Sequence, residues 1–207
     1  QNISTFKAQL QAISDEETDN TNPFWLNPWF TNLDGASLYY YIANNNPKYY
    51  IEIGSGNSTK FAKRAIVDNQ LQTDIISIDP NPREEIDQLS NQIIRQPLES
   101  FDFNHLLEEL EAGDIVFMDG SHFTFQNSDT VVFFLEIMPK LKPGVLVHIH
   151  DIYLPYDYPV VRQHHYESEQ YPLATMLLFG QTQFEILLPN YYISQTPPLS
   201  NIIDECV

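Results

Sequence analysis

Cations are scarce in this sequence. Its 207 residues hold 10 Lys and Arg against 28 Asp and Glu, a formal net charge of −18. A surface of that sign repels phosphate backbones and anionic bilayers, so neither nucleic acid nor membrane is expected as a partner. Cysteine is nearly absent: Cys206 is the only one. That excludes an intramolecular disulfide and fits a reducing, cytoplasmic setting, with the lone thiol read as inert. Long apolar runs are missing too. The longest, VVFFL at 131–135, is far below the roughly 18 residues of a membrane span. No basic stretch followed by an apolar one opens the sequence, so no signal peptide is expected. Glycine is sparse, seven in all, which gives weight to two that stand one residue apart, Gly54 and Gly56.

What is present is a regular alternation. Hydrophobic residues make up 43% of the chain and aromatics 13%, enough for a sizeable core in one domain. Apolar runs suited to strands fall at 49–53, 74–78, 92–95, 114–118, 145–149 and 183–188. Helical patterns lie between them at 58–69, 83–90, 104–111, 127–141 and 169–179, preceded by one at 34–44 with Asp34 as a candidate N-cap. Strand–helix–strand repetition spells an α/β fold with a parallel sheet and helices on both faces. The polar residues 1–22 read as a surface arm or short helix. With the aromatic stretch that follows they make an arm and lid over 1–33, before a main domain over 34–194 and a tail over 195–207.

Ligands of such sheets bind beyond the carboxyl ends of the strands. Those positions carry Gly54, Ser55, Gly56 and Ser58 after the first strand, then Asp79 and Pro80, then Gln96, Pro97 and Leu98. After the fourth strand come Asp119, Gly120, Ser121 and His122, and the fifth ends in His148, Ile149, His150 and Asp151. The glycine loop fails the pattern of a P-loop. It departs from a dinucleotide loop at the third glycine, where Thr59 stands, and Glu52 would point negative charge at a pyrophosphate. S-adenosylmethionine suits it better. That ligand has no phosphate and carries an ammonium and a sulfonium, while Asp79 is placed to accept its ribose hydroxyls.

The stretches YYIEIGSGNSTKFAKRA, ISIDPNP, DIVFMDGSH and LKPGVLVHIHD, in that order, resemble the successive motifs of class I S-adenosylmethionine-dependent methyltransferases. More narrowly they are similar to the small-molecule O-methyltransferase group that includes the macrocin-type sugar methyltransferases. The likeness spans about 34–194. It implies a Rossmann-like three-layer sandwich whose seven-stranded, mostly parallel sheet has a reversed strand near the C-terminus, with 191–194 as the remaining strand. It implies methyl transfer to a small-molecule acceptor, and adenine contacts from Gln96, Pro97 and Leu98, where many relatives place an acid. Glu52, Gly54, Ser55, Gly56, Ser58, Asp79, Pro80, Asp119, Gly120 and Ser121 complete the expected cofactor contacts.

In metal-dependent relatives an acid after strand four and a pair after strand five hold magnesium, and the histidine of D-x-x-H is the base. Carried over, Asp119, His150 and Asp151 become ligands of a divalent metal ion, and His122 the catalytic base beside Asp119. His150 stands where those relatives tend to have an acid, and one imidazole with two carboxylates suits manganese, iron or zinc better than magnesium. His148 is read as a core residue, and His105, His164 and His165 as surface ones. Two other readings stay open: a hydroxylase or oxygenase on the same scaffold, with His122, His150 and an aspartate holding iron, and a non-catalytic S-adenosylmethionine-binding domain. Acceptor walls are expected from Phe24, Trp25, Trp29 and Phe30, and from Tyr153, Tyr156 and Tyr158. Oligomeric state is left open, a homodimer included.

Overall fold

The computed structural model describes residues 3–30, 32–197 and 199; Cys206 and most of the expected tail lie outside them. Five strands form one parallel sheet in the order β3-β2-β1-β4-β5. They are β1 (Tyr49–Ile53), β2 (Asp74–Ile78), β3 (Gln92–Ile94), β4 (Ile115–Met118) and β5 (Leu146–Ile149). The helices are α1 (Lys7–Leu10), α2 (Asn32–Asn45), α3 (Asn57–Asp68), α4 (Asn104–Glu109), α5 (Asp129–Val132), α6 (Gln170–Gly180) and α7 (Asn190–Ser194). A π-turn and a 3-10 turn, Phe133–Ile137 and Met138–Lys140, continue α5, so the helix expected over 127–141 is present in three geometries.

Side chains alternate across each strand, and this splits the core in two. Tyr50, Ile75, Ile115 and Phe117 face α2 and α3, joined by Leu10, Ile13, Trp25 and Phe30 from the N-terminal segment. Ile51, Ile53, Ile76, Ile78, Val116 and Met118 face the other way, onto α4, the 133–138 turn and Leu173 of α6. The N-terminal segment thus carries the short helix that was the alternative to a surface arm, and it packs into the core.

Three expected elements are absent. Residues 83–90 form turns, not a helix. Pro80 and Pro82 precede them, and Ile86 alone is fully buried there. Strands six and seven are not formed either: 183–188 is a 3-10 turn end followed by irregular chain, and 191–194 is helical. Phe184 packs back on Gly180, and Pro189 with Asn190 starts α7. Asn190 Nδ2 then bonds Asp34 Oδ1 at 2.7 Å and Ser37 Oγ at 3.1 Å. Among the described residues nothing pairs with the outer edge of β5, so five parallel strands replace the seven expected.

Candidate active site

The glycine loop is fixed by its neighbours. Gly54 has φ +80, and a Cβ there would sit 1.8 Å from the carbonyl oxygen of Asp119. Only glycine lets β1 and β4 end side by side in this way. Thr59, in the place of a third glycine, accepts from the Gly56 N–H at 3.1 Å and donates to Glu52 Oε1 at 2.6 Å.

Glu52 corrects the sequence expectation. Strand alternation places it beside Tyr50, facing α3, and it is fully buried. Ser77 Oγ (2.5 Å), Thr59, Tyr50 OH (3.2 Å) and Ser58 Oγ (3.3 Å) all donate to it. It holds the loop from beneath and offers no charge to a ligand. Burial lifts its pKa to about 7 against the pull of those hydroxyls. Between 4.5 and about 7 the folded chain therefore keeps a proton that the unfolded chain has released, and stability falls as pH rises through that window. At about 1.4 kcal/mol per pH unit the loss reaches up to about 3 kcal/mol. Denaturant titrations of wild type and Glu52→Gln at several pH values are expected to differ by that much more at pH 8 than at pH 4. A difference independent of pH would remove Glu52 as its source.

Asp79, at the end of β2, accepts from Ser55 N–H (2.8 Å), Ser55 Oγ (3.0 Å) and Asn81 N–H (2.8 Å). It stays partly exposed at the rim, with Pro80 exposed beside it. Gln96 and Pro97 are exposed past β3, whereas the Leu98 side chain is 3% exposed and packs in the core. A narrow cleft of about 40 Å³ is lined by Trp29, Phe30, Gly56, Asn57, Arg83 and Asp119, together with Ser55, Ser58 and Glu84. Arg83 covers the Trp29 ring at 4.7 Å. Trp25, by contrast, is a core residue against Phe61. Asn57 was not singled out in the sequence. It is 6% exposed, and its Oδ1 is buried in the cleft wall without a hydrogen-bond partner.

Past β4 the loop turns back on Asp129, which accepts from Ser121 N–H (2.6 Å) and Ser121 Oγ (2.5 Å). A Cβ on Gly120 would strike that carboxylate at 2.2 Å. Gly120 and Ser121 thus shape the loop and orient His122. His122 (φ 65) and Asp151 (φ 53) both sit in the left-handed region, a costly conformation that concentrates at functional sites.

Asp119, His122, His150 and Asp151 meet at the ends of β4 and β5. His150 Nδ1 lies 3.3 Å from Asp119 Oδ1 and 4.0 Å from Asp151 Oδ2. His122 Nε2 lies 3.5 Å from Asp119 Oδ1 and 3.7 Å from Asp151 Oδ2. Ligand atoms of Asp119, His150 and Asp151, the set expected to hold a metal, all fall within 4.8 Å of one another. Arg162 bonds Asp151 at 2.6 Å and Glu167 at 2.9 Å. Glu169, which the sequence reading left as the start of a helix, is buried and meets His122 Nδ1 at 2.5 Å. Burial opposes a charge on His122, but Glu169, Asp119 and Asp151 outweigh it and lift its pKa to about 9. The charges of His150 and His122 overcome burial to hold Asp119 below the usual carboxylate range. His148 is a core residue: it packs edge-on to Phe117 at 4.9 Å, and burial lowers it to about 4. His105, His164 and His165 are exposed.

Residues 51–152 match the family model of a methyltransferase domain. The match runs from β1 to just beyond β5. It takes in the glycine loop, Asp79 and the four-residue cluster, and it supports a methyltransferase family for this chain. No significant match was found among curated proteins or among solved structures. The match thus ends close to Asp151, and Arg162, Glu169 and α7, which complete the cluster's surroundings, come from the sequence after it. Tyr153 and Tyr156 stand there around Tyr191, with centroids 4.8 and 6.1 Å from its ring. Tyr158 is buried, its hydroxyl accepting from Gln170 N–H. No helix among the described residues is long and apolar enough to cross a membrane.

Proposed function

We propose that the chain transfers the methyl group of S-adenosylmethionine to a hydroxyl of a small molecule. The observation that carries this reading is the position of Asp119. Its backbone carbonyl lies against Gly54, its carboxylate faces His122 and His150, and it lines the cleft. A ligand on the glycine loop and a hydroxyl at the histidines would therefore be neighbours across one residue. The ligand's positive charge finds Asp119 and the unpartnered Asn57 Oδ1, an acceptor suited to an ammonium donor. The electrostatic case that the sequence rested on Glu52 passes to these two groups.

S-adenosylmethionine, when bound, supplies an electrophilic methyl group on sulfur. The chain's own residues align it, exclude water and manage one proton. As the carbon–sulfur bond breaks and the carbon–oxygen bond forms, the hydroxyl proton goes to His122 Nε2 in the metal-free site. Glu169 on Nδ1 fixes the ring and favours the imidazolium that results. Tyr153 and Tyr156 wall the acceptor on the far side. Arg162 is engaged by Asp151 and Glu167, so a strongly anionic acceptor finds no free cation there.

Calorimetry with S-adenosylhomocysteine tests the donor half. Micromolar binding is expected, and Asp79→Ala should weaken it at least about 100-fold, as loss of two charge-assisted ribose bonds implies. Tight binding of NAD, with none of S-adenosylhomocysteine, would overturn the assignment.

A further inference from the structure

A helix packed on a sheet turns an apolar stripe inward and a polar one to solvent. α6 does the first and not the second. Leu173, Met176 and Leu177, three and four apart, pack on the core. The stripe behind them is Tyr171, Thr175, Leu178 and Phe179, all exposed. Spacings of i, i+4, i+7 and i+8 align on one side of a helix, and no member of this stripe is charged. A helix that is apolar on all sides belongs in an interior, yet one side of α6 is open. The lack of charge runs on past the helix. Glu185 is the only charged residue between positions 170 and 203, in a chain of which 18% is charged.

The open face is large. Leu178 and Phe179 are 71% and 83% exposed, and Tyr171 is half exposed. Phe184 packs back on Gly180, and within three residues of that contact stand Ile186, 62% exposed, and Leu187, 38% exposed. At roughly 200 Å² for each fully exposed large residue, these five present about 600 Å², a patch of the size that marks an interaction surface. Two copies together offer about 1,200 Å², the area of a specific interface. Charge selects the occupant. At −18 the chain repels its own copies over most of its surface, and the charge-free face is where two can meet. A two-fold contact sets one patch against itself; an uncharged apolar stripe is its own complement, and a surface of one charge sign is not. A bilayer is a poor match, because the face lacks the Lys and Arg that hold helices to membrane surfaces.

We infer that α6 docks on α6 of a second copy of this chain, the stripe from Tyr171 to Phe179 crossing the same stripe of the other copy, with Ile186 and Leu187 at the rim of the contact. The start of the same helix shows what the contact serves. Glu169, immediately before α6, holds His122, and Gln170 holds the 153–157 loop through Tyr153 N–H, Tyr156 O and Asp157. Self-association therefore braces from outside the helix on which the rim beside Asp151 is fastened. The inference stands on exposure and charge and does not depend on the methyl-transfer reading.

The test is sedimentation velocity of the full chain from about 1 to about 100 µM, where mass action shifts a reversible dimer. A species of twice the 24.0 kDa chain mass is expected to dominate at the upper end. Phe179→Asp and Leu178→Asp should each raise the dissociation constant at least about 100-fold, because a two-fold contact sets the two new carboxylates together in an apolar setting. Val67→Asp, equally exposed but on α3, should leave it unchanged. Salt should tighten the dimer, since it screens the repulsion between copies and spares an apolar contact; weakening by salt would overturn the proposal. Circular dichroism verifies that each variant is folded. Hydrogen–deuterium exchange of the unaltered chain needs no variant: peptides covering 170–187 should gain protection as concentration rises. Protection independent of concentration would assign the cover to the chain's own tail, and a monomer at about 100 µM would leave the face to a different protein. Either result refutes a second copy as the occupant, as does a dimer unmoved by both α6 variants.

Discussion

Gly54→Ala is expected to lower the melting temperature by at least about 8 °C and to abolish S-adenosylhomocysteine binding. Two effects add. An alanine at φ +80 costs about 1–2 kcal/mol in backbone strain. Its Cβ would also occupy the position of the Asp119 carbonyl oxygen, 1.8 Å away, and that oxygen belongs to backbone that cannot rotate aside. Separating the ends of β1 and β4 breaks the Asp119 N–H bond to Ile53 O and displaces the carboxylate around which the cluster is built. A total near 4 kcal/mol, at roughly 2–4 °C per kcal/mol for a domain of this size, gives the stated shift. Gly113→Ala is the internal control. It has φ +96 but open space around its Cβ position, so it should show the strain alone. Gly56→Ala separates fold from ligand. Its Cβ would meet nothing nearer than Glu84 Cγ at 3.7 Å, so stability should hold, while cofactor affinity falls if the loop backbone approaches the ligand there. Equal melting temperatures for the Gly54 and Gly113 variants would refute this account of the loop.

His122→Ala should lower kcat for methyl transfer by about 10²–10⁴ and leave S-adenosylhomocysteine affinity within about twofold. The ring is bound to Glu169 and faces the aspartates, and it is not among the residues lining the glycine-loop cleft. The pH profile tells how the residue works. His122 held near 9 is mostly imidazolium at pH 7, so a metal-free enzyme using it as base should speed up roughly tenfold per pH unit until about pH 9. A loss of cofactor binding in the alanine variant, with kcat preserved at saturation, would place His122 in the donor site instead.

Much of this was open to sequence reasoning. Rim positions follow from strand parity and the rule that parallel sheets bind ligands past their carboxyl ends, so Gly54, Asp79, Asp119, His150 and Asp151 were found by counting. Glu52 was misplaced although the same parity locates it: two residues before Gly54, it shares a face with Tyr50 and looks at α3. Glu169 and Asp34 were out of reach for another reason. Glu169 lies 47 residues from His122, and no periodicity shows which way a side chain at a helix start points. Asp34 reads as a cap of α2, and only the fold brings its carboxylate 3.6 Å from His150 Nε2. Asn57 reads as an ordinary turn residue until burial leaves its oxygen unpartnered. The sixth and seventh strands came from a family likeness and an alternating pattern in 183–188, but a strand also needs a backbone to pair with.

Among the described residues the outer edge of β5 is unpaired, and this divides the molecule into two inheritances. Everything assigned to the methyl donor hangs on ladder bonds between β1, β2 and β4, where a change in one strand is felt by its neighbours. Beyond Asp151 the described chain is held by side-chain bonds, Gln170 to the 153–157 loop, Asn190 to Asp34 and Arg162 to Asp151, and by Leu173, Met176, Leu177 and Phe184 packed on the core. Changes in residues 153–194 away from those core contacts should therefore reshape the rim beside Asp151 while the register of β1, β2 and β4 is kept.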